Sequence, residues 1–202
     1  KRQADTVRNN QQNTVDSASS ENENFREFTD AIFRDNVSGD ILSLHTILQH
    51  PENYGITNYE KTLGRYNLDN PTDSSDISDC LTQLNSFDKN SLSKDQQITY
   101  ELLKKYLETK LEYCDLFLLD TDLSTTIGIQ VQLPIIFAEY TFNEVKDIDE
   151  YLCAVEDTDE FFENLIEYEK MRSEKGYFME TSLAEEIIEQ CNTFIDLSLI
   201  HI

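Results

Sequence analysis

Gly128-Ile129-Gln130-Val131-Gln132-Leu133-Pro134-Ile135-Ile136-Phe137-Ala138-Glu139-Tyr140-Thr141-Phe142 is the stretch on which the reading of the fold turns. It holds one of three prolines and one of five glycines, and Leu133 to Ala138 is the longest apolar run of the chain. Gly128 permits a backbone turn that other residues resist. Pro134 suits the first turn of a helix, where its missing N–H is no loss. The stretch therefore reads as a loop at 126–132 feeding a short buried helix at about 133–140. Gln130 and Gln132 fall in the loop. Either they cap backbone groups at the helix start, or they line a substrate cleft, because irregular backbone on a rigid scaffold is where sites tend to lie. Glu139 and Tyr140 follow the helix as an acid–phenol pair, either bonded to each other at the helix end or facing a site. These four are the candidate substrate-binding residues; no catalytic residue and no metal ligand is assigned.

Working outward, the remaining apolar spacing is helical. Phe25, Phe28, Ile32 and Phe33 repeat at three and four, the mark of an amphipathic helix. Asp40 caps a second helix carrying Ile41, Leu44, Ile47 and Leu48, and Pro51 closes it. Residues 51–75 are rich in Asn, Gly and Pro and read as loop. Ile77, Leu81 and Leu84 predict a short helix ahead of Phe87. Ser93 and Gln96 form a capping box that opens the longest helix, about 94–119, with Leu103, Leu107, Leu111, Cys114 and Leu118 along one face. So broad an apolar face suits the central helix of a bundle. Beyond the opening stretch, Asp147 and Glu150 can cap one helix, and Asp157 and Glu160 the next. Gly176 ends the latter, and Ser182 and Glu185 open the last. The fold class is all-α: an irregular multi-helix bundle with one long central helix.

The two ends read differently. Residues 1–24 offer only Ala4, Val7, Val15 and Ala18 as apolar groups, too few to offset the entropy of ordering. The division is a disordered tether over 1–22, an incomplete N-terminal helical domain over 23–196, and 197–202 as terminal residues outside the pattern, read either as non-native or as a frayed native helix end.

The formal net charge of −24 argues against nucleic acid, whose phosphates require clustered Lys and Arg, and equally against an anionic membrane surface. Residues 141–202 carry seventeen Asp or Glu against four Lys or Arg, read as solvated helix faces and as negative charge at helix N-termini. No segment approaches the ~20 apolar residues of a membrane span. Cys80, Cys114, Cys153 and Cys191 lie at least thirty-four positions apart, so no Cys-x-x-Cys motif exists; each reads as a free thiol among apolar neighbours, with disulfides the alternative that spacing leaves open. His45 and His50 lie five apart, not the four that puts two ligands on one helix face. His45 reads as a satisfied, partly buried histidine, and specific zinc binding by this chain is not expected.

Gly-x-Gln-x-Gln-Leu-Pro-x-x-x-Ala-Glu-Tyr-x-Phe from Gly128, followed by Tyr151-Leu152, Tyr168-Glu169, Arg172-Ser173, Gly176-Tyr177-Phe178-Met179 and Gln190-Cys191-x-x-Phe194-Ile195, resembles the bacterial family named domain of unknown function 885. The resemblance runs from about Phe25 to Ile195. It implies a likeness to gluzincin-type zinc metallopeptidases and an extracellular location on a lipid anchor. It implies that zinc and the His-Glu-x-x-His motif belong to a C-terminal part beyond this chain. The expectation is then an N-terminal helical portion that forms part of a peptide-binding cleft, packs against that C-terminal half, and is inactive alone. The alternative is a non-enzymatic helical extracellular lipoprotein or partner-binding module.

Overall fold

The computed structural model describes residues 2–201 along the backbone and the side chains of residues 20–196. The expected tether over 1–22 and the terminal residues 197–202 lie, but for the side chains of 20–22, outside the described side chains. Among the described residues the fold is all-α, without strands. The helices are α1 (Arg2–Val37), α2 (Ile41–Ile47), α3 (Ser75–Ser86), α4 (Lys94–Tyr113), α5 (Ile129–Ala138), α6 (Lys146–Glu156), α7 (Thr158–Glu174) and α8 (Thr181–His201). Single 3-10 stretches occupy Pro51–Tyr54, Lys89–Ser91 and Cys114–Leu119. The body read as one domain divides into two compact units, one of Lys1–Asn36 with Thr72–Asp115, the other of Val37–Pro71 with Leu116–Ile202.

The first unit is built on the predicted stripes. Phe25 and Phe28 of α1, Leu84 of α3, and Tyr100 and Leu107 of α4 bury together with Leu92. Phe25 meets Phe87 edge-on at 5.3 Å, the arrangement that the ring quadrupoles favour. Ser93 caps α4 and Gln96 completes the capping box. The N-cap serine is also tied to α1, since its backbone N–H donates to Asn22 Oδ1 at 2.7 Å. Gln96 Nε2 donates to the Asn22 carbonyl at 2.7 Å. Helix α4 ends at Tyr113, short of the expected 119, because its backbone tightens into the 3-10 stretch Cys114–Leu119.

The second unit carries two buried clusters. Val37, Leu44, Leu48 and Ile56 form one. Ile41, Leu42, Leu133 and Ala154 form the other, with Phe137, Phe162 and Phe194 packed against it. Its long loop is pinned by Asp157, the residue before α7, and by Asn164 within it. Asp157 accepts from the Leu63 N–H at 2.7 Å and from Arg65 Nη1 at 2.9 Å, and Asn164 accepts from the Tyr66 N–H at 2.7 Å. Asp157 therefore holds the loop and does not cap α7, as its spacing had suggested; its side chain makes no cap bond. Tyr168 is fully buried. Its hydroxyl donates to the carbonyls of Phe117 and Asp120 at 2.8 and 2.9 Å, and its ring stacks on Tyr66 at 4.6 Å. Gly176, at φ +83°, ends α7 in the left-handed conformation that glycine tolerates best.

Candidate functional site

The opening stretch folds one turn earlier than its proline implied. Helix α5 begins at Ile129 with Gly128 as N-cap, so Pro134 lies inside it and the glutamines belong to its first turn. Gln130 is buried; its Nε2 donates to the Ser124 carbonyl at 2.7 Å and to Gln190 Oε1 at 2.8 Å. Gln190 Nε2 in turn donates to the Thr125 carbonyl at 3.0 Å. Gln132 is exposed and its Nε2 donates to the Ile127 carbonyl at 2.7 Å. Both glutamines thus tie down the preceding turn. Gly128 is required there by close approach rather than by its φ: a Cβ would stand 2.4 Å from the Ser124 nitrogen and 2.5 Å from its carbonyl oxygen.

Glu139 is the exposed C-cap of α5. Tyr140, its neighbour, turns inward to a buried polar group of the second unit. The Tyr140 hydroxyl lies 3.0 Å from His45 Nδ1, and the two rings stack at 5.6 Å. His45 comes from α2, and Glu150 from the middle of α6. Glu150 Oε2 approaches His45 Nε2 to 2.8 Å, with both side chains about 95% buried at 5% and 6% exposure. The Tyr59 hydroxyl donates to the Glu150 carboxylate at 3.0 and 3.1 Å. Lys61 Nζ lies 3.4 Å from Glu150 Oε1. Asp147, one turn before Glu150, is buried. Its Oδ2 accepts from the N–H groups of Asn143 and Glu144 at 2.7 and 2.8 Å. Burial raises the Tyr59 phenol above its ordinary range, and the adjacent Glu150 raises it further. Burial does the same to Tyr140, helped by the charges of Asp147 and Glu150. Both phenols therefore stay protonated through the physiological range.

Of the four candidate residues, only Tyr140 joins this group. His45, Asp147 and Glu150 were legible in the sequence as a helix-face histidine and two acids of a helix start. Their meeting across more than ninety positions was not. A second, exposed group comprises His50, Glu52 and Glu144, with His50 Nδ1 at 3.2 and 3.4 Å from the two carboxylates. Lys146 lies 3.4 and 3.5 Å from the same two acids and already offsets their charge.

Comparison with known proteins gives a family and nothing finer. The model of a family described as "Bacterial protein of unknown function (DUF885)" matches residues 54–199. Neither a curated protein nor a solved structure matches the chain. The matched span takes in α3 to α8 with Asp147 and Glu150, and it begins after His45.

Proposed function

The chain belongs to the DUF885 family of bacterial proteins of unknown function, and from that premise we propose that it is the N-terminal helical portion of a zinc-metallopeptidase-like protein, one face of which lines a peptide cleft. The observation that carries the reading is a groove of about 380 Å³ in the second unit, between α2, α5 and α7. Leu42, Ile47, Leu63, Leu133 and Phe161 make it apolar, and Asp40, Ser43 and Thr46 are the polar residues of its lining. A mostly apolar concavity with a few polar groups is the usual form of a ligand site. Among the described residues Asp40 is the one charged residue of its lining, so the ligand is a peptide with apolar side chains and a basic neighbour.

A gluzincin zinc needs His-Glu-x-x-His and a further acid. The histidines are His45, His50 and His201, and none is followed by Glu. The residues present do not fit that ion, and no hydrolytic step is derived through it. On this reading the zinc belongs to the part of the parent protein that carries the motif, the chain alone binds peptide without cleaving it, and the parent sits outside the cell on a lipid anchor. The rival, a non-enzymatic partner-binding module, draws on the exposed Val145 and Phe178, at 83% and 71%, which lie off the groove.

The test is fluorescence anisotropy of the full chain with labelled peptides that mix Leu and Lys, set against Glu-rich controls. Ile47 is more than half exposed at the groove, so Ile47→Glu spares the fold and is expected to weaken binding at least tenfold. Equal binding by the variant, or no peptide binding at all, refutes the cleft; a folded protein partner captured by Val145 and Phe178 favours the module.

A further inference from the structure

The His45–Glu150 contact is close without being a hydrogen bond. Nε2 and Oε2 stand 2.8 Å apart, yet Nε2 is buried and has no hydrogen-bond partner. The other ring nitrogen faces the Tyr140 hydroxyl at 3.0 Å. When Nδ1 carries the ring proton and donates it to Tyr140, Nε2 holds a bare lone pair against a carboxylate oxygen. Two electron-rich atoms at that distance repel unless something positive lies between them. A proton on Nε2 would make the contact an ion pair, but no hydrogen bond joins the two atoms. Asp147 adds a second buried carboxylate: the donor atoms of His45, Asp147 and Glu150 all lie within 4.8 Å of one another. Lys61 is the one cation beside Glu150 among the described contacts, and its side chain is 45% exposed. Hydrogen bonds from Tyr59 and from the Asn143 and Glu144 N–H groups hold the two carboxylates, but neighbouring buried carboxylates still favour an added positive charge.

We infer that His45, Asp147 and Glu150 form a binding site for one first-row divalent cation of the Zn²⁺ type. One imidazole and two carboxylates suit zinc, with manganese and iron(II) as nearest competitors, and do not suit soft Cu(I). Ligand bonds of 2.0–2.2 Å set tetrahedral donors about 3.3–3.6 Å apart. The His–Glu pair, at 2.8 Å, opens by about 0.5 Å to take up that spacing, and the Asp147 carboxylate lies within 4.8 Å of both. The surroundings supply the outer layer that metal sites require. Tyr140 fixes the ring tautomer, Tyr59 holds the Glu150 carboxylate, and two backbone N–H groups hold Asp147. The sequence spacing that disfavoured zinc concerned two ligands on one helix face. Here the ligands come from α2 and α6, elements the sequence cannot pair. The site is buried, so the cation is structural: it clamps α2 to α6. This inference does not depend on the peptidase reading, since the three ligands are distinct from any His-Glu-x-x-His ion and from the groove.

The test titrates the chelator-stripped full chain with Zn²⁺ by calorimetry and with Co²⁺ by visible absorption. One equivalent is expected, with ligand-field bands for cobalt and a rise in melting temperature on loading. His45→Gln should weaken binding at least 100-fold. Tyr140→Phe, which leaves all three ligands, should weaken it roughly 10–100-fold, the usual effect of an outer partner. His50→Gln, in the exposed group, should leave it unchanged. If His45→Gln fails to fold, the unsubstituted chain with Tyr140→Phe still decides. Absence of stoichiometric binding by the unsubstituted chain overturns the site, as does binding that survives His45→Gln or disappears with His50→Gln.

Discussion

Replacing Tyr168 by Phe tests whether a residue of the family pattern serves the fold or a site. The hydroxyl reaches two carbonyls, those of Phe117 and Asp120, at 2.8 and 2.9 Å, and the residue is fully buried. Phe keeps the ring stacked on Tyr66 at 4.6 Å and edge-on to Phe117 at 5.0 Å, so apolar burial is nearly unchanged. What is lost is one shared hydrogen bond, about 0.5–1.5 kcal/mol net, together with the desolvation penalty of a buried carbonyl left unpaired, about 1–3 kcal/mol. Phe117 O retains a weak bond from the Asp120 N–H at 3.4 Å, which holds the total to about 1–3 kcal/mol. For a chain of 202 residues that lowers the melting temperature by roughly 2–12 °C. Urea unfolding followed by circular dichroism reads the change, and the peptide titration is repeated on the variant. A loss below about 0.5 kcal/mol would show that the carbonyls find other partners. A loss of peptide binding at unchanged stability would move Tyr168 from scaffold to site.

The remaining predictions bear on the same scaffold. Burial pushes the Tyr168 phenol from 10.0 up to about 12. The folded state thus favours the neutral phenol, its contribution is fully present below pH 10, and it fades as the pH climbs towards 12. Tyrosinate absorbance should show late-ionising tyrosines, and melting temperature should fall across that window; complete ionisation near pH 10 with the fold intact would contradict this. Gly128→Ala drives a Cβ into the Ser124 backbone at 2.4 and 2.5 Å and should cost about 1–3 kcal/mol, as overpacking does. A neutral effect by denaturant melt would mean that the turn before α5 shifts freely. Ser93→Ala removes the N-cap of α4 and should cost about 0.5–2 kcal/mol, with Ser93→Asp restoring most of it. The exposed Ile135 on α5 and Ile188 on α8, at 50% and 61%, should make the chain bind a hydrophobic dye; a dye-silent protein would argue against an interaction surface on these helices.

Local signals carried most of the fold. The capping box at Ser93 and Gln96, the Asp40 cap of α2, the left-handed Gly176 and the stripe through Phe25, Phe28, Leu84 and Leu107 are short-range or strictly periodic, and each appears where its spacing put it. The misses were competitions that the sequence does not display. Pro134 by itself points to a helix start, but the Gln130 amide satisfies the turn before it and α5 begins at Ile129. Asp157 had the position of a cap, yet the Leu63 N–H and the Arg65 guanidinium, both far away in sequence, claim its carboxylate.

The same contrast separates what the family pattern marks from what it leaves out. Gln130, Gln190, Tyr168 and Arg172 belong to the pattern, and each spends its polar atoms on nearby backbone. Gln130 bonds the Ser124 carbonyl and Gln190 that of Thr125; Tyr168 takes those of Phe117 and Asp120, and Arg172 Nε that of Leu118 at 3.1 Å. All five carbonyls lie between residues 117 and 125, the irregular path into α5. Their donor groups are thereby accounted for as scaffold, since they bond carbonyls of the irregular path; Gln130 Oε1, buried without a hydrogen bond, is the exception. His45 and Glu150 are different. They are buried, they meet across the second unit, and Nε2 of His45 remains without a hydrogen bond. Buried polar atoms are almost always satisfied. Among the described residues two buried side-chain atoms lack a hydrogen bond, Gln130 Oε1 and His45 Nε2; the second lies in a group of three metal-ligating side chains, and it is carried by a histidine that the family match does not reach.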